Sequence, residues 1–340
     1  MASCCAFFGV VAAFASNPVE LVPTPSGLRP RECVLEVPHG AEVQELNSTA
    51  ILISEPATVE AAARRWVHVP PKICHELQYA PGSAPTNKTC DEPPCTCNSF
   101  PCNNWINNAG LFPKDSLGND RAIGGFSSTY TIPGTPPPRF LGRPQVLFYF
   151  LGAENTDGLP RHGSNGVGRT ILQPVLTFDP EGWCKSSSTG WCMSSWNCCP
   201  ANVNTHSPYL LDLQPGEKMF AAFNMTSEGT FDIVSRDLAS GKESTLKMTR
   251  DGRTFNWADV TLEVYQMSEC SQFARGPMLF DKLNLWDTHY RPIVPQTTPT
   301  PAGDNAWLLT TDKIGCGGKI IPTGNPPTAF TFIYPDKESS

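Results

Sequence analysis

The sequence has little charge and no long apolar run. Only 17% of its 340 residues are charged, against an average near 25%. No stretch approaches the roughly 18 apolar residues that mark a membrane-spanning helix, so we expect no membrane partner for the mature chain. The net charge of −7 is the opposite of the basic excess that displaces counterions from nucleic acid, so we expect no nucleic-acid partner.

Recognisable metal and phosphate motifs are also missing. The six histidines do not pair at ligand spacing, and there is no HExxH motif, Walker loop or EF-hand loop. The run 162–166 (HGSNG) lacks the first glycine of a nucleophile elbow. We therefore expect no metal and no cofactor. Any hydrolysis by this chain would depend on carboxylates and amides.

Proline, in contrast, is abundant. The 34 prolines are about twice the usual share of ~5%. Proline removes a helix hydrogen bond and clashes with the preceding turn, which argues against a mainly helical protein. Aromatic residues make up 10% of the chain and include eight tryptophans, which argues against disorder. The composition therefore predicts a loop-rich globular protein dominated by β-structure.

The amino terminus and the cysteines predict secretion. Residues 4–15 form an apolar run of signal-peptide length that ends in a small-x-small cleavage pattern, so we predict a signal peptide over 1–15. Without Cys4 and Cys5, the 14 cysteines leave an even number, enough for up to six disulfides. Three glycosylation sequons, at Asn47, Asn87 and Asn224, are consistent with this route. The alternative is a cytosolic protein with scattered thiols.

Changes in composition divide the chain. We predict an N-terminal extension or propeptide over 16–102, a β-sandwich over 103–290, and a proline-rich linker with a C-terminal tail over 291–340. The extension ends in a cysteine cluster at 90–102 (CDEPPCTCNSFPC). Its spacing and its lack of histidine favour disulfides over a zinc site. We expect the protein to be a monomer.

Short apolar or alternating runs predict the fold class. They are five to eight residues long and are separated by Gly, Pro, Asn or Asp, which is typical of strands in an antiparallel double-sheet sandwich. The predicted strands are 145–151, 171–178, 219–225, 230–234, 260–267, 279–285 and 329–334.

One predicted strand, 171–178 (ILQPVLTF), carries an amide at mid-length. With a period of two, Gln173 shares a face with Ile171 and Val175. Pro174 has no N–H to donate to a neighbouring strand, so we expect an edge, a bulge or a gap there. The same pattern also fits an ordinary polar residue on a solvated sheet face.

A second strand, 260–267 (VTLEVYQM), carries a carboxylate at mid-length. Glu263 shares a face with Thr261 and Tyr265, and the opposite face is apolar. Glu263 therefore points either to water or into a concave sheet surface.

Several segments together resemble the glutamic peptidases, or eqolisins. They are QVLFYFLGAE, TILQPVLTF, SSWNCCP, LQPGEKM and WADVTLEVYQMSEC, in this order over roughly 105–288. The family has an I-L-Q strand with a catalytic glutamine and an A-E-W-I strand with a catalytic glutamate. The resemblance implies a secreted concanavalin-like jelly roll and an endopeptidase that is active in acid.

The resemblance also implies site residues. Gln173 and Glu263 take the two catalytic roles, Phe150 falls on a substrate-site tryptophan of the family, and Glu154 falls on a family aspartate. A register slip of one would place Leu262 at the acid position instead. We expect Trp196 and Tyr265 to complete the substrate-binding surface.

Two functions remain open. The first is a secreted acid-active endopeptidase, with a polypeptide substrate, in which Glu263 activates water and Gln173 stabilises the oxyanion. The second is a non-catalytic binding module that holds a glycan or an extended peptide. In that module Trp196, Trp257 and Tyr265 stack on the ligand, while Gln173 and Glu263 form hydrogen bonds with it.

Overall fold

The computed structural model describes residues 19–58, 63–76, 102–137, 145–155, 170–226, 229–296, 305–311 and 314–334. The predicted signal peptide, most of the cysteine cluster at 90–102, the sequon at Asn87 and the end of the proline-rich linker lie outside these residues. Within the described ranges, no helix is both long and apolar enough to span a membrane.

Nearly all regular structure in the described residues is β-strand. The amino-terminal part contains β1 (Leu21–Thr24), β2 (Gly27–Pro30), β3 (Val34–Glu36), β4 (Glu42–Asn47), β5 (Ala50–Ser54), β6 (Arg65–His68) and a short helix α1 (Lys72–Glu76). The central part contains β7 (Cys102–Leu111), β8 (Ile123–Thr131), β9 (Val146–Glu154), β10 (Ile171–Phe178), β11 (Trp191–Cys198), β12 (Asn204–His206), β13 (Lys218–Met225), β14 (Thr230–Asp237), β15 (Glu243–Thr249), β16 (Trp257–Met267) and β17 (Met278–Asp287). The last part contains β18 (Leu308–Thr310), β19 (Lys319–Gly324) and β20 (Pro327–Ile333).

These strands form two large sheets and one hairpin. The first sheet has the order β18-β7-β16-β9-β10-β11-β12-β3, and the second has the order β19-β20-β17-β8-β13-β14-β15-β4-β5-β6. Strands β1 and β2 pair only with each other, and we call residues 21–30 the N-terminal hairpin. The architecture is an all-β double-sheet sandwich, as the sequence predicts.

The core lies between the sheets because apolar residues alternate along the strands. Leu147, Tyr149 and Leu151 of β9 point inward and pack in one cluster with Phe223 of β13 and Phe280 of β17. The other face of the first sheet carries a second, smaller cluster that includes Phe148 and Phe150 of the same strand. The first sheet is therefore buried on both faces, with the main core on its inner face and the second cluster on its outer face.

The predicted strands are confirmed as β9, β10, β13, β14, β16, β17 and β20, with ends that differ by a few residues. The sheets also draw strands from outside the predicted sandwich segment. Parallel pairing adds β3 to β12 at the edge of the first sheet and β4 to β15 in the second. The division at residues 102 and 290 thus stays a prediction about folding units, because both sheets continue across it.

The predicted irregularity at Pro174 is confirmed as a gap. Strands β10 and β9 pair on both sides of it but not at Gln173 and Pro174. Tyr130 of the second sheet fills the gap, since its hydroxyl accepts from the Leu151 N–H at 2.6 Å and donates to the Pro174 carbonyl at 3.2 Å. The backbone groups that proline leaves unpaired are thus satisfied from across the core.

Three disulfides occur among the described residues, in line with the predicted use of cysteine. They join Cys33 to Cys74, Cys184 to Cys192 and Cys270 to Cys316. The first ties the 3₁₀ turn before β3 to helix α1. Two sequons lie in described strands: Asn47 is exposed, whereas Asn224 accepts a hydrogen bond from Trp286. Their glycosylation stays a prediction.

Candidate functional site

The outer face of the first sheet is an apolar surface with polar groups set into it. Its apolar members are Trp105, Val146, Phe148, Phe150, Ile171, Val175, Trp196, Cys198, Trp257 and Tyr265. Alternation along β9, β10 and β16 places the predicted residues Gln173, Glu154 and Glu263 on this same face. All three are at most 2% exposed. Buried polar groups on one apolar face are the usual composition of a binding or catalytic site.

One row across this face has an unusual composition. Asp259 of β16 lies opposite Gly152 of β9. The β9–β10 register, which pairs Leu172 with Ala153, places Gln173 opposite the same glycine. Gln173 in turn pairs with Trp196 of β11. A carboxylate and an amide therefore flank a position that has no side chain.

Gly152 is required by the Asp259 side chain. A Cβ added at Gly152 would collide with Oδ1 of Asp259 and would lie 3.1 Å from Cδ1 of Ile171. The carboxylate thus lies over the glycine, on the side toward Gln173. The α-carbons of Asp259 and Gln173 are two strand spacings apart, about 10 Å.

A chain of hydrogen bonds orients the carboxylate. Thr261 Oγ1 donates to Asp259 Oδ2 at 2.6 Å, and Asn108 Nδ2 donates to Thr261 Oγ1 at 2.6 Å. All three residues are at most 1% exposed. Because the Asn108 amide fixes the direction of the threonine proton, the carboxylate is oriented by groups that do not themselves face Gln173.

The Gln173 amide is held at both ends. Its Nε2 donates to the Pro25 carbonyl at 3.0 Å, and its Oε1 lies 3.8 Å from the Cys198 thiol. Pro25 belongs to the turn of the N-terminal hairpin. The hairpin therefore lies on the row that contains Asp259 and Gln173, with Leu28 packed on the apolar surface.

The structure does not bring Glu263 together with Gln173. Glu263 pairs with Phe148, which pairs with Thr177 on its other side. It therefore lies four residues along the sheet from the Gln173 row, about 14 Å. Tyr265 donates its hydroxyl to Glu263 Oε1. The sequence predicts Glu263 as the partner of Gln173. The acid in register with Gln173 is instead Asp259, which lies four residues earlier on the same face of β16.

Burial determines the protonation of Glu263. It raises the pKa of Glu263 to about 8, and the charges of Asp259 and Glu154 add to the rise, although hydrogen bonds from Tyr265 and Trp105 oppose it. In the unfolded chain a glutamate titrates near pH 4.3. Between these values the folded protein binds the extra proton, so stability falls as pH rises from about 4 to about 8.

Replacing Glu263 with glutamine should remove this dependence, since the amide is neutral at every pH. We expect Glu263→Gln to match the wild type near pH 4 and to exceed it by roughly 2–4 kcal/mol in free energy of unfolding near pH 8. Denaturant titrations at several pH values measure this difference. Glu181→Gln, at an exposed position, is the matched control. Parallel pH profiles for the wild type and Glu263→Gln would show that Glu263 is ionised in the folded state.

The predicted substrate-binding residues all lie on the outer face. Phe150 packs edge-on against Trp105, with ring centroids 5.9 Å apart. Glu154 is buried one row beyond Gly152, opposite Ile171. Trp196 lies in the Gln173 row, and Tyr265 lies beside Glu263. Contact of any of them with a substrate stays a prediction.

Asp259 is the residue that sequence reasoning missed. The signal was present, because period-two alternation puts Asp259 on the same face as Thr261 and Glu263. Alternation gives this shared face but not which of the two acids lies opposite Gln173, because that register depends on pairing between strands distant in sequence.

Trp183 was also missed, because it lies in the turn between β10 and β11. Its ring packs edge-on against Trp196 at 5.6 Å and stacks on Tyr209 at 6.1 Å. His206 lies 4.5 Å from the Trp196 ring, and burial lowers the pKa of His206 to about 4. The rings of Trp183, Trp196 and Tyr209, which we call the aromatic wall, therefore lie at the Gln173 end of the row together with the neutral His206.

Known proteins offer only distant likenesses. No protein-family model matches the chain, and no curated protein sequence matches it. The crystal structure of Scytalido-glutamic peptidase with a peptide-based transition-state analogue is 12% identical, with a TM-score of 0.41 over 68% of this chain and 98% of that chain. SCP-B, a member of the eqolisin family of peptidases in complex with the tripeptide Ala-Ile-His, is 13% identical, with a TM-score of 0.39 over 68% and 98%. Lectin II from Ulex europaeus is 8% identical, with a TM-score of 0.29 over 52% and 80%.

Proposed function

We propose that the protein is an acid-active endopeptidase whose catalytic pair is Asp259 and Gln173. The observation that carries the proposal is the row in which these two side chains flank Gly152 on a buried sheet face. Because Gly152 has no side chain, the Asp259 carboxylate occupies the space over it, between the two strands that carry the acid and the amide.

The two groups divide the chemistry of hydrolysis. The Asp259 carboxylate takes a proton from the water that attacks the peptide carbonyl, and it returns the proton to the departing amine. Gln173 cannot ionise, and its Nε2 donates to the oxygen on which negative charge develops. Its bond to the Pro25 carbonyl shows that this N–H is already directed at a peptide oxygen.

An acid working range follows from the type of base. The base is a carboxylate, and the amine that leaves is protonated more readily in acid. The protonated form of Glu263 suits the same range, because its buried side chain is neutral throughout acid pH. We also propose secretion, supported by the three disulfides.

The test is digestion of casein at pH 2–5 by the purified full-length chain. Because the N-terminal hairpin covers Gln173, the assay includes Gly27→Val, which strains the hairpin turn at a φ of +115°. We expect Gln173→Ala to lower kcat by about 10²–10³-fold, the usual effect of losing one oxyanion donor. Gln214→Ala, at an exposed position, is the control. Equal rates for Gln173→Ala and Gln214→Ala would remove Gln173 from the mechanism.

A second function has its own support in the aromatic wall. Trp183, Trp196 and Tyr209 offer ring surfaces beside polar groups, an arrangement that also binds glycans or extended peptides without cutting them. Tight binding of such a ligand, with no casein digestion by the wild type or Gly27→Val, would establish the binding module instead.

A further inference from the structure

The N-terminal hairpin presents a Pro-Thr-Pro segment, residues 23–25, to the outer face of the first sheet. Trp183 Nε1 donates to the Pro23 carbonyl at 2.7 Å, and Gln173 Nε2 donates to the Pro25 carbonyl at 3.0 Å. Carbonyls two residues apart in an extended chain point in the same direction. The face therefore contacts alternate carbonyl oxygens of an extended segment.

The residues between and after the prolines are bound through their side chains. Asn204 Nδ2 donates to Thr24 Oγ1 at 2.8 Å and to Ser26 Oγ at 3.0 Å. Trp183, Gln173 and Asn204 thus all donate to the segment. Proline offers a carbonyl acceptor and has no N–H of its own, so the two prolines of a Pro-X-Pro segment bring no buried backbone donor to such a face.

The surrounding surface also suits proline. The rings of Trp183, Trp196 and Tyr209 lie at the end of the outer face where residues 23–25 are bound. Grooves lined by aromatic side chains are the usual sites for proline-rich extended chains. The buried Trp196 Nε1 has no hydrogen-bond partner in the part of the chain that the structure describes. It supplies one more donor for a carbonyl-rich ligand.

We propose that the groove formed by Trp183, Asn204 and Gln173 is a binding subsite for an extended Pro-X-Pro segment of another polypeptide. Residues 23–25 of this chain are its resident occupant. The inference rests on the proposed function for what happens after binding, because Gln173 belongs to both the groove and the catalytic pair.

The register also gives the bond that would be cut. The carbonyl held by Gln173 is that of the second proline. The water oxygen bonds to this carbonyl carbon, the C–N bond to the following residue breaks, and Asp259 transfers the water's proton to the released amine. The preferred substrate is thus cleaved on the carboxyl side of the second proline.

The test is the affinity of a dye-labelled LVPTPS peptide, measured by fluorescence anisotropy, with LVATAS as the matched peptide. All proteins carry Asp259→Asn so that no peptide is cut. We expect LVPTPS to bind Gly27→Val about tenfold more tightly than Gly241→Val, because only the first change weakens the resident segment. Both glycines have positive φ and open space around the missing Cβ, and Gly241 lies in a turn of the second sheet.

The two prolines should account for the preference. We expect LVATAS to bind Gly27→Val at least tenfold more weakly than LVPTPS, and Trp183→Phe to reduce the difference between the peptides. Hydrogen exchange over residues 21–30 reports whether the hairpin opens. Leu28→Asp, which places a charge against the apolar surface, is a second way to open it.

If the hairpin opens but LVPTPS binds no more tightly than LVATAS, the inference is wrong. It is also wrong if neither Gly27→Val nor Leu28→Asp opens the hairpin. The proposed function is tested separately with Asp259 intact. Binding of LVPTPS without cleavage would leave the subsite and remove the peptidase. Casein digestion without any preference for LVPTPS would leave the peptidase and remove the subsite.

Discussion

Replacing Asp259 with asparagine should lower kcat for casein hydrolysis at pH 4 by about 10³-fold, within the 10²–10⁴-fold range of a lost general base. The substitution keeps the shape of the side chain, so it can still occupy the space over Gly152 and accept from Thr261. The carboxylate that takes the water's proton is lost. The measurement is kcat in the Gly27→Val background, with the thermal midpoint as a check on folding.

Glu263→Gln is the matched control for this result. It makes the same acid-to-amide change on the same strand and face, two same-face positions away. We expect its kcat at pH 4 to stay within about threefold of the parent, because the buried Glu263 is protonated there. The reverse outcome, with Glu263→Gln inactive and Asp259→Asn active, would restore the pairing inferred from the sequence.

Thr261 is expected to act as a positioning residue. Thr261→Val removes the hydroxyl that links Asn108 to Asp259. If the hydroxyl only orients the base, kcat falls by roughly tenfold while KM stays unchanged. A change confined to KM would instead place Thr261 in substrate binding.

The largest expected effect on stability is at Asp287, at the end of β17. Its carboxylate accepts from Arg121 Nε at 3.0 Å, from Arg291 Nε at 2.8 Å, and from the backbone N–H groups of His289 and Arg291 at 2.9 Å each. The side chain is only 2% exposed. Hydrogen bonds to a charged group contribute roughly 1.5–3 kcal/mol each, so weakening several of them together is expected to cost about 3–5 kcal/mol.

We therefore expect Asp287→Asn to lose about 3–5 kcal/mol in free energy of unfolding near pH 6. Urea titration measures this, with Asp281→Asn on the same strand as the control. Hydrogen bonds from Arg291, Arg121 and the backbone hold the pKa of Asp287 well below its usual value, despite the opposing effect of burial. A cost below 1 kcal/mol at pH 6 would show that this network does not stabilise the fold.

The sign of the pH dependence follows from this lowered pKa. The stabilisation is complete above the unfolded value, near pH 3.9, and declines only as pH falls toward the lower folded value. The difference between the wild type and Asp287→Asn should therefore be constant above about pH 5 and smaller, but still present, at pH 3. A network of this kind keeps the sandwich folded in the acid range proposed for catalysis.

The sequence predicts what is local along each strand. Period-two alternation identifies β9, β10 and β16 and the faces of Gln173 and Glu263, and the missing N–H predicts the gap at Pro174. Register between strands distant in sequence depends on long-range pairing, which alternation within a strand does not encode. The Asp259 row was missed for this reason. The hairpin on Gln173 was missed because its contacts join residues 148 positions apart.

The parallel pairings of β3 and β4 restrict how the chain can be processed. These neighbouring strands cover β12 in the first sheet and β15 in the second. A protein trimmed of everything before residue 55 would expose the hydrogen-bonding edges of both, and bare edges promote aggregation. We therefore expect any cleavage that releases the N-terminal hairpin to fall before Cys33, so that β3 and β4 keep their places in the two sheets.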